Sequence, residues 1–215
     1  MRENWKFSEL EYVRPDFEQV KENLKSYIKK GREADSFTAA LSAYTESENE
    51  INHLMMMYTL VYIRHTLDTS DKFYEEEHEV FNSQFPTFGP ISVESGEALN
   101  ESKYRDDFET KFGKQFFASI ELEKKRFSEK NIPLLQEEAK LTSEYQKMMA
   151  SCKIKFDGKE LNLYGIQKYF ENDDREVRKA AFKAYSDFYH ENEKRLEEIW
   201  DELIKLRNEM GRNLG

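Results

Sequence analysis

Cysteine is almost missing from this sequence. Cys152 stands alone, so no disulfide can form within the chain. Proline and glycine are scarce, four and eight in 215 residues, which leaves little of the punctuation that short strands and tight turns need and favours long helices. Positive charge is in deficit. The formal net charge is −10, and the basic clusters Lys29-Lys30 and Lys124-Lys125-Arg126 stand beside acids, so a nucleic-acid surface is not expected. Long apolar runs are absent too. The longest, Leu54 to Ile63, is interrupted by Thr59 and falls well short of the roughly 20 residues of a membrane span. No apolar leader opens the chain. The expectation is a soluble cytoplasmic protein with neither nucleic acid nor membrane as a partner.

Charge and aromatic rings are abundant. Charged residues make up 35% of the chain, yet it carries 16 Phe and 12 Tyr, an aromatic content that disordered chains lack. A folded, mainly α protein with many charges on its helix faces is the reading.

Periodicity places the helices. Trp5 to Val13 alternates as a short strand or extended arm. Pro15-Asp16 starts a helix carrying Phe17, Val20, Leu24, Tyr27 and Ile28 on one side, stopped by Gly31. A long tract from about Ser36 to Thr66 follows, apolar nearly all round from Leu54 onward, which predicts burial on several sides. Its three consecutive methionines read as adaptable core filler in preference to a promiscuous binding surface. Asp71 to Phe85 predicts another helix, ended near Pro86. Residues 87–102, with Gly89, Pro90 and Gly96, read as a loop. One helix is expected through Tyr104, Phe108, Phe112, Phe116 and Ile120, weakened by Gly113. Asn131-Ile132-Pro133 starts the next.

The last third changes character. Lys153 to Phe156 and Lys159 to Leu163, joined by Asp157-Gly158, predict a β-hairpin at about 153–163, since a type I′ turn needs the positive φ that Asp and Gly tolerate. Its charged flanks favour a protected structural edge over a strand that recruits a peptide. Asp173 with Glu176 reads as a capping box, opening a helical tract to Asn213 that would span about 58 Å if continuous. A compact domain of this length has a radius of gyration of about 17 Å, so a break is expected near Glu191-Asn192. The organisation is therefore 1–151, helical with a loop near 87–102, and 152–215, hairpin plus long helical tract, packed with the first as one unit.

Three groups of motifs resemble a known family. They are Tyr62-Ile63-Arg64-His65-Thr66-Leu67-Asp68-Thr69 with Phe73-Tyr74; Leu135-Gln136-Glu137-Glu138 with Ser143-Glu144-Tyr145; and Asp174-Arg175-x-x-Arg178-x-x-Ala181, Asn192, Ile199-Trp200-Asp201-x-Leu203, Leu206-Arg207 and Leu214-Gly215. In order and kind they resemble the oligoendopeptidase F branch of the thimet-like zinc metallopeptidases, in the part that precedes the catalytic domain. The resemblance implies a multi-helix N-terminal region that packs over a catalytic domain and helps wall a channel admitting short peptides. It also implies zinc in the complete enzyme.

The residues present set the limit on chemistry. Zinc peptidases of this kind need His-Glu-x-x-His on a helix, two imidazoles one turn apart to hold the metal and a Glu to activate its water. The two His-Glu pairs here, His78-Glu79 and His190-Glu191, are followed by Asn82 and Lys194 where a second histidine would stand. No catalytic residue, metal ligand or cofactor is therefore expected in this chain. The zinc site is expected beyond it, on a C-terminal catalytic domain that is its foremost partner. Two other readings remain: a free-standing helical interaction protein, and a di-iron bundle using Glu50-x-x-His53 and Glu75-x-x-His78. With 43 acids in 215 residues, that spacing is expected by coincidence.

Arg64, His65 and Asp68 are the polar residues to single out, as a structural or channel-lining cluster. Arg64 and Asp68 stand four apart and could pair. His65 follows the buried run and is expected to be a core histidine satisfied by a hydrogen bond. An apolar face left open by a missing domain would drive self-association into a dimer or larger assembly.

Overall fold

Pro15 cannot donate a backbone hydrogen bond, and Asp16 after it accepts one from the Gln19 N–H at 3.0 Å. Together they start α1 (Phe17–Glu33). The helix runs through Gly31 and ends two residues beyond it, so Gly31 is not the stop that the sequence suggests. Ser36 caps α2 (Phe37–Leu67), and Asp71 caps α3 (Lys72–Gln84) by accepting from the Phe73 and Tyr74 N–H groups. The computed structural model describes residues 6–215. Trp5, where the expected N-terminal strand begins, lies outside them, and Phe7–Glu9 form a 3₁₀ turn instead of a strand.

Residues 87–102 are not a loop. A 3₁₀ turn, Phe85–Phe88, leads directly into α4 (Gly89–Asn100). Pro90 sits in the first turn, where its missing N–H costs nothing. A Cβ at Gly96 would stand 2.6 Å from Ile120 Cγ2, so this glycine permits close helix packing and marks no flexibility. The expected single helix through 104–120 is two: α5 (Arg105–Phe112) and α6 (Lys114–Arg126). Gly113 between them has φ +86°, a conformation that an α-helix cannot contain. A 3₁₀ turn at Glu129–Asn131 precedes α7 (Ile132–Ala150).

The described chain divides into two compact units, residues 6–136 with 213–215, and residues 137–212. The division falls within α7. In the first unit, Phe17, Val20, Leu24 and Ile28 of α1 bury against Leu54, Met57, Leu60 and Val61 of α2, Phe81 of α3 and Ile91 of α4. Phe81 and Val61 are wholly enclosed. Phe17 meets the Phe81 ring edge-on at 5.2 Å, the geometry that aromatic quadrupoles favour. A second cluster gathers Phe37, Tyr44, Phe108, Phe116 and Phe117.

In the second unit β1 (Ile154–Phe156) pairs antiparallel with β2 (Lys159–Leu161) in the register Ile154↔Leu161, Lys155↔Glu160, Phe156↔Lys159. Asp157 at φ 50° and Gly158 at φ 67° make the expected turn. Asn162 caps the short α8 (Leu163–Gln167), whose Ile166 packs with Cys152, Ile154 and Ala181 in a small core. The last element, α9 (Arg175–Leu214), is one uninterrupted helix of 40 residues, about 60 Å at the α-helical rise. The expected break is not there. Asn192 Nδ2 donates to the Phe188 carbonyl at 2.8 Å, bonding to the preceding turn without opening it. The capping residue is also one position later than expected. Asp174, not Asp173, accepts from the Glu176 N–H at 2.8 Å, which puts Glu176 too early to complete a capping box. Among the described residues no helix is long and apolar enough to cross a membrane.

Candidate functional site

The polar residues singled out in the sequence lie around the C-terminal end of α2, where α3 and the extended N-terminal arm pass. Arg64, in the last turn of α2, is positively charged where the helix dipole is negative. Its Nη1 donates to the Tyr74 hydroxyl at 2.6 Å and its Nη2 to the Leu10 carbonyl at 2.5 Å. The guanidinium lies over the rings of Phe7 and Tyr74, 5.6 and 5.4 Å from their centroids. Those donors tie the arm and α3 to α2. They are not spent on Asp68, so the expected Arg64–Asp68 pair does not form. Asp68 stands past the helix end, where its carboxylate accepts from the backbone N–H and hydroxyl of Ser70 at 3.0 and 2.6 Å, which lowers its pKa.

A second clasp holds the same arm. Arg14 Nε donates to both carboxylate oxygens of Glu77 at 3.0 and 2.9 Å, its Nη2 reaches the same carboxylate, and Tyr12 donates its hydroxyl to it. Glu77 is only 2% exposed. A carboxylate buried this far is stable only when its lone pairs are occupied. The Arg14 hydrogen bonds hold its pKa below the usual carboxylate range. Burial, and then the neighbouring Glu77, pushes the Tyr12 phenol well up.

His65 is buried, and among the described residues its Nδ1 has no hydrogen-bond partner. The expectation of a hydrogen-bonded core histidine fails at that atom. The ring stacks on His78 of α3 instead, with centroids 4.9 Å apart and planes 19° from parallel. Tyr58 and Tyr62 lie about His78, at 6.4 and 6.2 Å, and its Nδ1 is 3.3 Å from Asn82 Nδ2.

Glu77 and His78 were not read from the sequence as partners of this cluster, although a signal exists. Counting back from Phe81 at helical spacing puts Glu77, His78 and Tyr74 on the face of α3 that Phe81 buries.

The arrangement of these donors is not that of a zinc site. Lone pairs of stacked imidazoles lie in parallel planes and do not converge, whereas zinc needs three or four ligands set tetrahedrally. Among the described residues no three His, Cys, Asp or Glu side chains are grouped so as to hold a metal. Glu50 accepts from Asn23 Nδ2 at 3.1 Å and His53 is exposed on α2, so that pair does not face inward as a di-iron bundle requires. In the second unit, Asp187 is bound by Lys183 and His190 is exposed beside Glu193. Cys152 is buried, and burial pushes its thiol pKa up, the opposite of what a nucleophile needs. What the α2–α3 cluster does chemically is fasten an arm.

Residues 7–127 match the family described as the Peptidase M3 N-terminal domain. Among solved structures, an X-ray structure described as an oligoendopeptidase F superposes with a TM-score of 0.95 at 35% identity, covering 99% of this chain and 38% of that one. PZ peptidase A, solved with an inhibitor, gives 0.94 at 38% identity, with 98% and 37% covered. A chain from Bacillus anthracis str. Ames, also described as an oligoendopeptidase F, gives 0.95 at 35% identity, with 99% and 39% covered. The present chain thus spans less than two fifths of the length of these relatives. A search among curated proteins returned no match.

Proposed function

The chain belongs to the Peptidase M3 N-terminal domain family, and on that premise we propose that it is the non-catalytic N-terminal portion of an oligoendopeptidase F-like zinc metallopeptidase that hydrolyses short peptides in the cytoplasm. The observation that carries the reading is the superposition of 99% of this chain on 38% of an oligoendopeptidase F chain. In the complete enzyme zinc would supply an activated water for attack on the peptide bond. Among the described residues no His, Cys, Asp or Glu side chains are grouped to hold such a metal, and in this reading the chain takes no part in that step. Their role is to form a helical wall that restricts access to the catalytic domain.

Exposed apolar side chains on the second unit support this division of labour. Tyr164 is 80% exposed, Trp200 64% and Phe182 61%, and rings of that size exposed to solvent suit contact with the remainder of a longer protein. Arg64 and His65 serve packing in this reading, not substrate contact.

The purified chain is expected to retain no stoichiometric zinc by elemental analysis and to leave a quenched fluorescent peptide intact. Cleavage abolished by a chelator would overturn the proposal. The reading frame after the Gly215 codon is expected to continue into His-Glu-x-x-His. A stop codon there would favour a free-standing helical interaction protein instead. Light scattering is expected to show self-association through the exposed rings, and a monodisperse monomer would count against an uncovered face.

A further inference from the structure

Far from the arm clasp, in the first unit, α1, α2, α4 and α6 enclose a cavity of about 380 Å³, within the roughly 300–1,000 Å³ of small-molecule sites. Small residues are part of its lining, Ser47 of α2, Ser95 and Gly96 of α4 and Ser119 of α6. Leu24, Ile51, Leu54, Phe88, Ile91 and Ile120 give it apolar walls. The polar groups on its lining are not balanced in charge. Among the described residues, Glu48, Glu97 and Glu123 line it with one cation, Lys124, and Lys124 is already bound to Glu97 at 2.7 Å.

Glu48 is the group left to explain. It is half-buried on α2, and the phenol of Tyr44, one turn earlier, is hydrogen-bonded to its carboxylate. Burial raises the Glu48 pKa, and burial together with the Glu48 charge pushes Tyr44 up to about 12. A carboxylate on an apolar lining with a phenol as its partner lacks the counter-charge that burial ordinarily demands.

We propose that this cavity binds a small organic ammonium ion, its apolar body against the aliphatic and aromatic walls and its charged head between Glu48 and the ring of Tyr44. The charge pattern selects among ligand classes. An anion meets three carboxylates, and a neutral apolar molecule leaves Glu48 without a counter-charge. An ammonium supplies charge-assisted hydrogen bonds to Glu48 and a cation–π contact with Tyr44 or Phe116, both of which line the cavity. The proposal does not depend on the peptidase reading.

The test uses the 215-residue chain and phenethylammonium, with phenethyl alcohol and 3-phenylpropionate as the neutral and anionic counterparts, followed by amide chemical shifts. Saturable shifts centred on Ser47, Gly96 and Ser119 are expected for the ammonium. The alcohol is expected to bind about tenfold more weakly, the loss of one charge-assisted contact, and the carboxylate not at all. Glu48→Gln is expected to bring the ammonium down to the affinity of the alcohol. Ser119→Phe, at an exposed position on the rim, is expected to abolish binding of both while the circular-dichroism melt stays unchanged. Absence of saturable binding by the ammonium would overturn the proposal. So would equal affinity for ammonium and alcohol, or ammonium binding that neither variant weakens.

Discussion

The two units of this chain hold themselves together in different ways, although both are built mainly from helix. The first buries large side chains from several helices against one another, with Phe81, Val61 and Phe108 almost completely enclosed. Its principal ion pair is buried on the acid's side: Glu77 is 2% exposed beneath Arg14 and Tyr12. The second rests on a 40-residue helix of which only Ala181 and Ile199 are buried. Its ion pairs are more exposed on the acid's side than that one. Arg195 binds Glu144 at 2.5 and 2.6 Å, and Arg207 binds Glu138 at 2.7 Å. A buried pair excludes water and salt, so breaking it strands a charge, whereas an exposed pair hands its charges back to solvent. Burial therefore carries more of the first unit, while the second adds only a small core of Cys152, Ile154, Ile166 and Ala181 to its long helix.

The largest test of that contrast is Phe81→Ala, which opens a void between α1, α2 and α3 and is expected to cost about 3–5 kcal/mol in urea unfolding of the first unit. Arg14→Met comes next, at about 3 kcal/mol, because Glu77 is left buried without its cation. The double variant Arg14→Met/Glu77→Gln is expected to recover much of that loss. If it recovers nothing, the clasp acts through packing and the electrostatic account is wrong.

The same pair fixes a pH dependence. The pKa of Glu77 is depressed in the folded state, so its stabilisation is present above the unfolded value of about 4.3 and is lost as pH falls through the folded one. Unfolding titrations are expected to lose their acid slope in Glu77→Gln. An unchanged slope would place the acid sensitivity on other carboxylates.

In the second unit, Gly158→Ala forces a Cβ into φ 67° and is expected to cost about 1 kcal/mol, read from the thermal midpoint. Smallest of all is Arg195→Ala, at about 1 kcal/mol or less and vanishing in molar salt. A cost equal to that of Arg14→Met would erase the distinction between the two units.

Capping and turn chemistry were legible because they act within a few residues. Asp16, Ser36 and Asp71 start helices where the sequence places them, and Asp157-Gly158 turns the hairpin as expected. Misreadings came from residues with more than one local use. Gly89, Pro90 and Gly96 look like loop punctuation, yet Pro90 fits a helix's first turn and Gly96 lets α4 approach Ile120. Gly113, read as a weak point inside one helix, divides two. Asn192 could have capped a helix and instead bonds to the turn before it. The cluster around Arg64 was half visible. Its residues were found, but their partners were not, since Leu10, Tyr74 and His78 reach it from other segments.

The sequence by itself determined that the chain is mainly α, where most helices begin, that one hairpin interrupts them, and that no His-Glu-x-x-His stands within it. All of these depend on propensity, periodicity or spacing over a few residues. Only the tertiary structure decided that Arg64 grips Leu10 in place of Asp68, that Glu77 is buried beneath Arg14, and that a cavity opens beside Glu48. Each of those depends on groups far apart in the chain being brought within a few ångströms, and the net energy of such an approach exists only once the segments have packed and excluded water.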